Sequence, residues 1–123
     1  MKKLVLLILA VSVLMMASLT ADDTDITGVW IGETYVPEYG MDQITLKITK
    51  EEGTYSGELT DTAGYAADTP CEDFKYEEGK VTFRFYIGQG EYVYFNLTVE
   101  GDKMTGYWDG GGGTGDVTLE KKE

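Results

Sequence analysis

Residues 80–100 read KVTFRFYIGQGEYVYFNLTVE, and they give the strongest indication of the fold. It contains two segments in which apolar and polar side chains alternate, joined by a turn that carries two glycines. Alternation with a period of two places the apolar side chains of a segment on one face, as in a β-strand with one buried and one solvated side. The stretch therefore predicts a β-hairpin that turns one face towards a hydrophobic core.

The same pattern predicts the register of this hairpin. Phe85 must lie opposite Val93 if the apolar residues of both strands are to share one face. This register leaves residues 88–90 as a three-residue loop and puts Tyr86 across from Tyr92 on the outer face. Aromatic side chains are therefore expected on both sides of the sheet.

Alternating segments and glycine-bearing turns continue through most of the chain after residue 27, and no helical periodicity appears there. The predicted strands are 28–35, 43–50, 54–61, 70–76, 80–87, 91–100, 103–109 and 114–121. Such a meander can stay open, fold into a sandwich or close, and closure is favoured because it removes both exposed sheet edges. We therefore predict an all-β domain over residues 28–123, an eight-stranded antiparallel up-and-down β-barrel.

The N-terminus has the layout of a secretory signal peptide. Lys2 and Lys3 precede an apolar run over residues 4–14, and small or weakly polar residues then lead to Ala21. This order predicts a signal peptide over residues 1–21 that is cleaved near Ala21, with an uncleaved membrane anchor as the alternative. Residues 22–27 are then a short leader, and the mature protein is expected to be secreted or periplasmic, without membrane contact after cleavage.

The charge balance bears on possible partners. The chain carries 22 acidic and 10 basic residues, a net charge of −12, which becomes more negative when Lys2 and Lys3 are removed. A surface this negative repels nucleic acid and anionic lipid headgroups. The negative charge keeps the protein soluble, or it attracts a cationic ligand or partner. Cys71 is the single cysteine, so no disulfide can form within the domain.

The residue inventory argues against catalysis. The chain has no histidine, and Ser56 is the one serine after residue 21, so serine and cysteine triads and zinc sites of the usual Cys/His type are excluded. The carboxylate pairs at residues 51–52 and 77–78 belong to predicted turns, where they are solvated. We expect no enzyme activity, no cofactor and no metal site.

Gly28-Val29-Trp30 forms a G-x-W motif at the start of the first predicted strand. Together with the strand number, the meander order and the segments 101–106 and 115–119, it resembles the calycin group of small exported barrels, which includes lipocalins and avidins. The resemblance implies that the tryptophan packs inside the closed end of the barrel, under a basic side chain from the last strand. Lys121 is the candidate, because it continues the inward face of Val117 and Leu119. A cation–π contact between Lys121 and Trp30 is therefore expected at this closure.

The apolar side chains of the predicted strands point into the barrel. A domain of this size needs most of them for its core, so we expect a mostly packed interior with a shallow pocket at one mouth. The predicted walls of this pocket are Tyr55, Phe85, Val93 and Trp108. Because few charges are available to orient a ligand, the sequence predicts a non-catalytic binding module for a small apolar or aromatic ligand.

The outer wall offers an alternative function. Outward positions on three adjacent predicted strands carry one arginine and four tyrosines, namely Arg84, Tyr86, Tyr92, Tyr94 and Tyr107. Tyrosine and arginine are favoured at contact surfaces. The wall could serve a protein-interaction module, for instance an inhibitor or the binder of an envelope-associated partner. It could also be a homodimer face, a sugar platform, or simply aromatic pairing that stabilises the sheet. The expected state is a monomer or a weak homodimer.

Overall fold

A computed structural model describes residues 24–122, and this range contains nine β-strands and no helix. The strands are β1 (Gly28–Val36), β2 (Gly40–Glu51), β3 (Thr54–Asp61), β4 (Thr69–Pro70), β5 (Glu72–Glu77), β6 (Lys80–Gly88), β7 (Glu91–Glu100), β8 (Lys103–Gly110) and β9 (Gly113–Lys121). The predicted signal peptide and the first residues of the leader lie outside the described residues.

The strands form one antiparallel sheet in the order β4-β3-β2-β1-β9-β8-β7-β6-β5. The first and last long strands are hydrogen-bonded to each other, with Trp30 opposite Lys121 and Gly32 opposite Leu119. The sheet therefore curls into a nearly closed up-and-down barrel. The predicted fold class and the pairing of the first strand with the last are confirmed.

The strand count differs from the predicted eight because one predicted strand, 70–76, is divided. Its start is β4, which pairs with β3, and its remainder is β5, which pairs with β6. Between them the Cys71 N–H still donates to the Gly57 carbonyl oxygen at 2.9 Å. A register shift between Glu72 and Lys75 follows, and Asp73 has a φ of 54°. This bulge turns the chain away from β3 towards β6.

Side chains cover the gap that remains between β3 and β5. The Phe74 ring lies 3.0 Å from the position that a Cβ on Gly57 would occupy, so glycine leaves room for this ring against β3. The Tyr55 and Tyr76 rings meet edge to face across the same gap, with centroids 5.4 Å apart. Aromatic packing thus completes the barrel where the backbone ladder is interrupted.

The register of the β6–β7 hairpin is the predicted one, with Phe85 opposite Val93 and Tyr86 opposite Tyr92. The loop is different. Gly88 pairs with Glu91 after a register shift, so the turn consists of residues 89–90, with φ of 56° and 77°. A two-residue turn with positive φ at both positions matches the right-handed twist of a hairpin, and the extra residue is accommodated as a bulge.

The barrel interior is apolar and mostly filled. Its core residues are Ile26, Trp30, Val36, Ile44, Leu46, Ile48, Leu59, Ala66, Val81, Phe83, Phe85, Val93, Phe95, Leu97, Met104, Trp108, Val117 and Leu119. Ile26 belongs to the predicted leader but is fully buried, and its carbonyl oxygen accepts the Trp30 indole N–H at 2.9 Å. The leader therefore plugs one end of the barrel.

The contact observed at this closed end differs from the predicted one. Although Lys121 is the strand partner of Trp30, its ammonium nitrogen lies 3.5 Å from the Asp25 carbonyl oxygen. Within residues 24–122 the cation–π contacts are Lys50 over Tyr55 and Arg84 over Tyr92, so the expected stacking of Lys121 on the indole is not formed. The leader residues 25–26 supply both the acceptor for Lys121 and the acceptor for the indole N–H.

Candidate functional site

The other end of the barrel contains a partly enclosed cavity of about 280 Å³. It lies where β1, β3, β6 and β8 end and where β2, β7 and β9 begin. The lining residues are Thr34, Val36, Pro37, Glu38, Asp42, Ile44, Leu59, Asp61, Tyr65, Phe85, Ile87, Val93, Phe95, Trp108 and Gly110 to Gly113. The cavity is thus continuous with the core below and opens between the turns above.

Three of the four predicted wall residues, Phe85, Val93 and Trp108, line this cavity. Tyr55 does not. It lies at the start of β3, whereas the cavity is at the end of that strand, near Asp61. The Tyr55 hydroxyl instead donates to Asp25 Oδ1 at 3.3 Å, at the plugged end. The alternation of strand directions in a meander places the two ends of β3 at opposite ends of the barrel, so this part of the prediction is wrong.

The Trp108 side chain is fixed by contacts on two sides. Its Nε1–H donates to Thr34 Oγ1 at 2.8 Å, and the Thr34 hydroxyl donates to the Asp116 carbonyl oxygen at 2.6 Å. A Cβ on Gly115 would lie 2.6 Å from Trp108 Nε1, so only glycine leaves room for the indole here. The indole N–H is satisfied and the ring is packed, which gives the cavity a rigid apolar wall.

Two carboxyl groups line the cavity from β2 and β3. Asp42 is buried, with 3% of its surface exposed, and its Oδ1 accepts from Thr62 Oγ1 at 3.0 Å and from the Ala63 N–H at 2.9 Å. Asp61 Oδ1 accepts from the Ala66 N–H at 2.8 Å. These hydrogen bonds tie the loop between β3 and β4 to the barrel.

Asp42 also influences the titration of Asp61. Loss of hydration on partial burial, followed by the contact with Asp42, raises the pKa of Asp61 to about 6. Negative charge at this position is therefore incompletely compensated by the protein. The Asp42–Asp61 pair is the chemically distinctive feature of the cavity.

The sequence prediction missed both carboxyls, although a signal for each was present. Asp42 has the same parity as Ile44, Leu46 and Ile48 on β2, but the predicted strand began one residue too late to include it. Asp61 lies two residues after Leu59 on β3 and therefore faces the same side of the sheet, towards the barrel interior. An acidic residue that extends an apolar face at a strand end points into the barrel.

The predicted interaction surface lies on the outside of β6, β7 and β8. Tyr86, Tyr94 and Tyr107 are each about half exposed, at 45%, 51% and 49%. The Arg84 guanidinium lies over the Tyr92 ring, 4.2 Å from its centroid. A hydrogen bond with Tyr94 is the main reason why the pKa of Arg84 is raised above its ordinary value.

Carboxylates from the bulge approach Arg84 as well. Arg84 Nε lies 3.5 Å from Glu72 Oε1 and 3.4 Å from Asp73 Oδ2, but it makes a hydrogen bond with neither. The arginine is thus held against the outer face of the sheet by stacking on the Tyr92 ring and by two ion pairs that are not hydrogen bonds.

A scan against protein-family models found no match for the chain, and searches of the curated proteins and of the solved structures found none either. Within residues 24–122 no three His, Cys, Asp or Glu side chains are grouped so that they could hold a metal ion. The same range contains no helix long and apolar enough to cross a membrane.

Proposed function

We propose that this chain is an exported, non-catalytic binding protein that holds a small ligand with an apolar or aromatic body in the cavity at the barrel mouth. The observation that carries the proposal is a formed cavity of about 280 Å³ in a barrel that is otherwise packed. An unfilled space of this size lowers the stability of a small domain, because each buried apolar side chain contributes about 1.5–3 kcal/mol. A retained cavity therefore supports a role in binding.

The size of the cavity limits the ligand. An engineered apolar cavity of about 150 Å³ holds benzene, and sites for drug-sized ligands begin at about 300 Å³. The present cavity fits a molecule with one or two rings and is too small for a long lipid. Its apolar contact surface would come from Phe85, Val93 and Trp108.

The lining also supports a function without catalysis. It contains no serine, cysteine, lysine or histidine that could act as nucleophile or base beside the carboxyls. Binding is the activity that these residues support.

Titration with indole, a neutral two-ring probe, tests the proposal by calorimetry. The wild-type chain is expected to bind one equivalent. Phe85→Glu, which puts a charge into the apolar wall, is expected to abolish binding, whereas Tyr94→Ala on the outer wall serves as the matched aromatic control and is expected to bind normally. No binding to the wild type, or loss of binding in Tyr94→Ala alone, would contradict the proposal.

A second candidate function is protein interaction through the outer tyrosine wall, Arg84, Tyr86, Tyr92, Tyr94 and Tyr107. It is favoured by the half-exposed rings of three of these tyrosines, which offer large contact area at low entropic cost. Sedimentation of the wild type against the double variant Tyr92→Ala/Tyr94→Ala tests for self-association through this wall. A concentration-dependent dimer that the double variant lacks would support the interface, and a monomer at every concentration would remove the homodimer from consideration.

A further inference from the structure

We propose that the cavity selects ligands that carry an ammonium group on an aromatic body of one or two rings, with the ammonium held at the Asp42–Asp61 carboxyl pair. The inference rests on the proposed function, because it assigns a ligand class to the same cavity. It goes beyond that function in requiring a cationic head group, where the apolar walls alone would accept a neutral molecule.

The cavity has two chemically different sides. The carboxyls come from β2 and β3, whereas Phe85, Val93 and Trp108 come from β6, β7 and β8. In the closed sheet β1 and β9 lie between these two groups of strands. An aromatic ring against the Trp108 side can therefore extend a short substituent across the cavity to the carboxyls.

The lining contains acidic groups without a cationic partner. Its charged residues are Glu38, Asp42 and Asp61, and lysine and arginine are absent from it. The ion pairs of the described residues are formed by Arg84 and Lys122, and none of them includes a cavity carboxyl. Carboxylates that are withdrawn from water without a counter-charge are costly. A ligand cation would supply the missing charge, and the raised pKa of Asp61 has the same origin.

An organic ammonium fits this donor set better than a metal ion does. Calcium takes six to eight oxygen ligands and magnesium six, but residues 24–122 offer no group of three acidic, cysteine or histidine side chains arranged for a metal. An ammonium group brings three N–H donors, which match the acceptor oxygens of two carboxylates that line one side of the cavity from adjacent strands. The apolar side of the cavity further favours a cation attached to a ring.

The carboxyls also have a structural role, which the test must separate from binding. The hydrogen bonds to Thr62, Ala63 and Ala66 use Oδ1 of each aspartate. An asparagine at position 61 can keep its oxygen as the acceptor for the Ala66 N–H while it loses the charge. Asp61→Asn therefore removes the electrostatic contribution and retains the tie to the loop.

The charge facing Asp61 sets the expected pH dependence. The titratable groups around it in the cavity are Asp42 from β2, Glu38 from the turn between β1 and β2, and the Tyr65 phenol from the loop after β3. The lining residues of β6, β7 and β8 carry no titratable side chain. Ammonium binding should therefore weaken as the pH falls through about 6, where Asp61 takes up a proton.

The test compares three probes that share an indole ring: tryptamine, which is cationic, tryptophol, which is its neutral hydroxyl analogue, and indole-3-propionate, which is anionic. Affinities are measured by titrating the 15N-labelled chain and following the Trp108 indole N–H signal. At neutral pH we expect tryptamine to bind about tenfold more tightly than tryptophol, a ratio that corresponds to one favourable charge interaction. Indole-3-propionate should bind most weakly.

Two further measurements sharpen the result. In Asp61→Asn the preference for tryptamine over tryptophol should shrink several-fold. At about pH 5 the wild type should lose most of the same preference, because Asp61 is then protonated. Tryptamine remains cationic at both pH values, as alkyl amines titrate near pH 10.

The possible outcomes separate the two proposals. If tryptamine and tryptophol bind equally, or if the anionic probe binds best, the proposed selectivity for ammonium ligands is wrong. The proposed function as a binding site for an apolar or aromatic ligand is then still supported. If no probe shifts the Trp108 signal, the proposed function falls together with this inference. A preference for tryptamine that persists unchanged in Asp61→Asn would also overturn the assigned role of the carboxyl pair.

Discussion

The carboxyl groups of Asp42 and Asp61, on the adjacent strands β2 and β3, both line the cavity at the mouth of the barrel. Partial burial and, next to it, the neighbouring Asp42 raise the pKa of Asp61 to about 6. Together with Glu38, the pair puts negative charge without a cationic partner on a lining that is otherwise largely apolar. Its properties determine the first prediction.

Asp61→Asn should stabilise the protein near neutral pH. Because the folded-state pKa of Asp61 lies above the ordinary value of 3.8, the folded chain binds this proton more tightly than the unfolded chain. The contribution of Asp61 to the free energy of unfolding therefore falls as the pH rises from about 4 to about 6. Asparagine avoids this loss. We expect a gain of about 1 kcal/mol at pH 7.5, reduced from the full shift because the carboxyl is partly solvated.

Urea unfolding at about pH 4 and about pH 7.5 checks this, since urea midpoints report the free energy of unfolding. The control is Asp109→Asn, which removes the same charge from an exposed position on β8. A stabilisation by Asp61→Asn that is equal at both pH values, or equal to that of the control, would show that it does not arise from the raised pKa of Asp61.

Thr34→Val should destabilise the fold while Thr34→Ser is tolerated. Valine has the shape of threonine but leaves the buried Trp108 Nε1–H without its acceptor and the Asp116 carbonyl without its donor. An unsatisfied buried polar group costs about 1–3 kcal/mol. Thermal or urea unfolding measures the difference. Equal stability of the valine variant and the wild type would show that the indole N–H finds another partner.

Gly115→Ala and Gly113→Ala should behave differently, although both lie at the start of β9. A Cβ at position 115 would lie 2.6 Å from Trp108 Nε1 and must displace the indole, whereas a Cβ at position 113 would lie 3.6 Å from the ring, an ordinary contact. Overpacking of this kind costs about 1–3 kcal/mol. We expect a lower urea midpoint and a moved Trp108 indole signal for Gly115→Ala, and neither change for Gly113→Ala. A displaced indole in both variants would mean that the wall is less rigid than described.

Cys71 should react slowly with thiol reagents in the folded state. Burial, and to a lesser extent the nearby Glu58 carboxylate, raises the pKa of its thiol to about 12. The thiolate is the reactive form, so at about pH 8 only a small fraction is reactive. Colour development with a disulfide reagent is expected to be slow in buffer and fast in denaturing urea. Fast modification in buffer would show that the thiol is accessible, contrary to its partly buried position.

Much of the barrel could be predicted because most inward positions are apolar and most outward positions are polar or amphipathic. This constraint placed Phe85 opposite Val93, and the cost of exposed sheet edges predicted that the first strand pairs with the last. The division of the strand at residues 70–76 could not be predicted in the same way. It depends on positive φ at Asp73, where no glycine marks the bend.

The site was predicted in part, for a related reason. Alternation tells which face a side chain occupies, so Phe85, Val93 and Trp108 were placed inside. It does not tell how deep along the strand the side chain lies, and Tyr55 was therefore assigned to the wrong end. Asp42 was missed because the predicted strand 43–50 begins one residue after it, and Asp61 because the predicted pocket walls contained only apolar and aromatic side chains. The role of Ile26 in plugging the barrel leaves no periodic signal in the leader.

The signals of the two tryptophans show directly whether the barrel binds ligand at its open end. Trp108 lines the cavity, and the fully buried Trp30 lies at the plugged end, where its indole N–H donates to the Ile26 carbonyl oxygen. In a 15N-labelled sample titrated with tryptophol, the Trp108 indole N–H signal is expected to shift saturably while the Trp30 signal stays in place. No shift of either signal, or a larger shift at Trp30, would contradict the account.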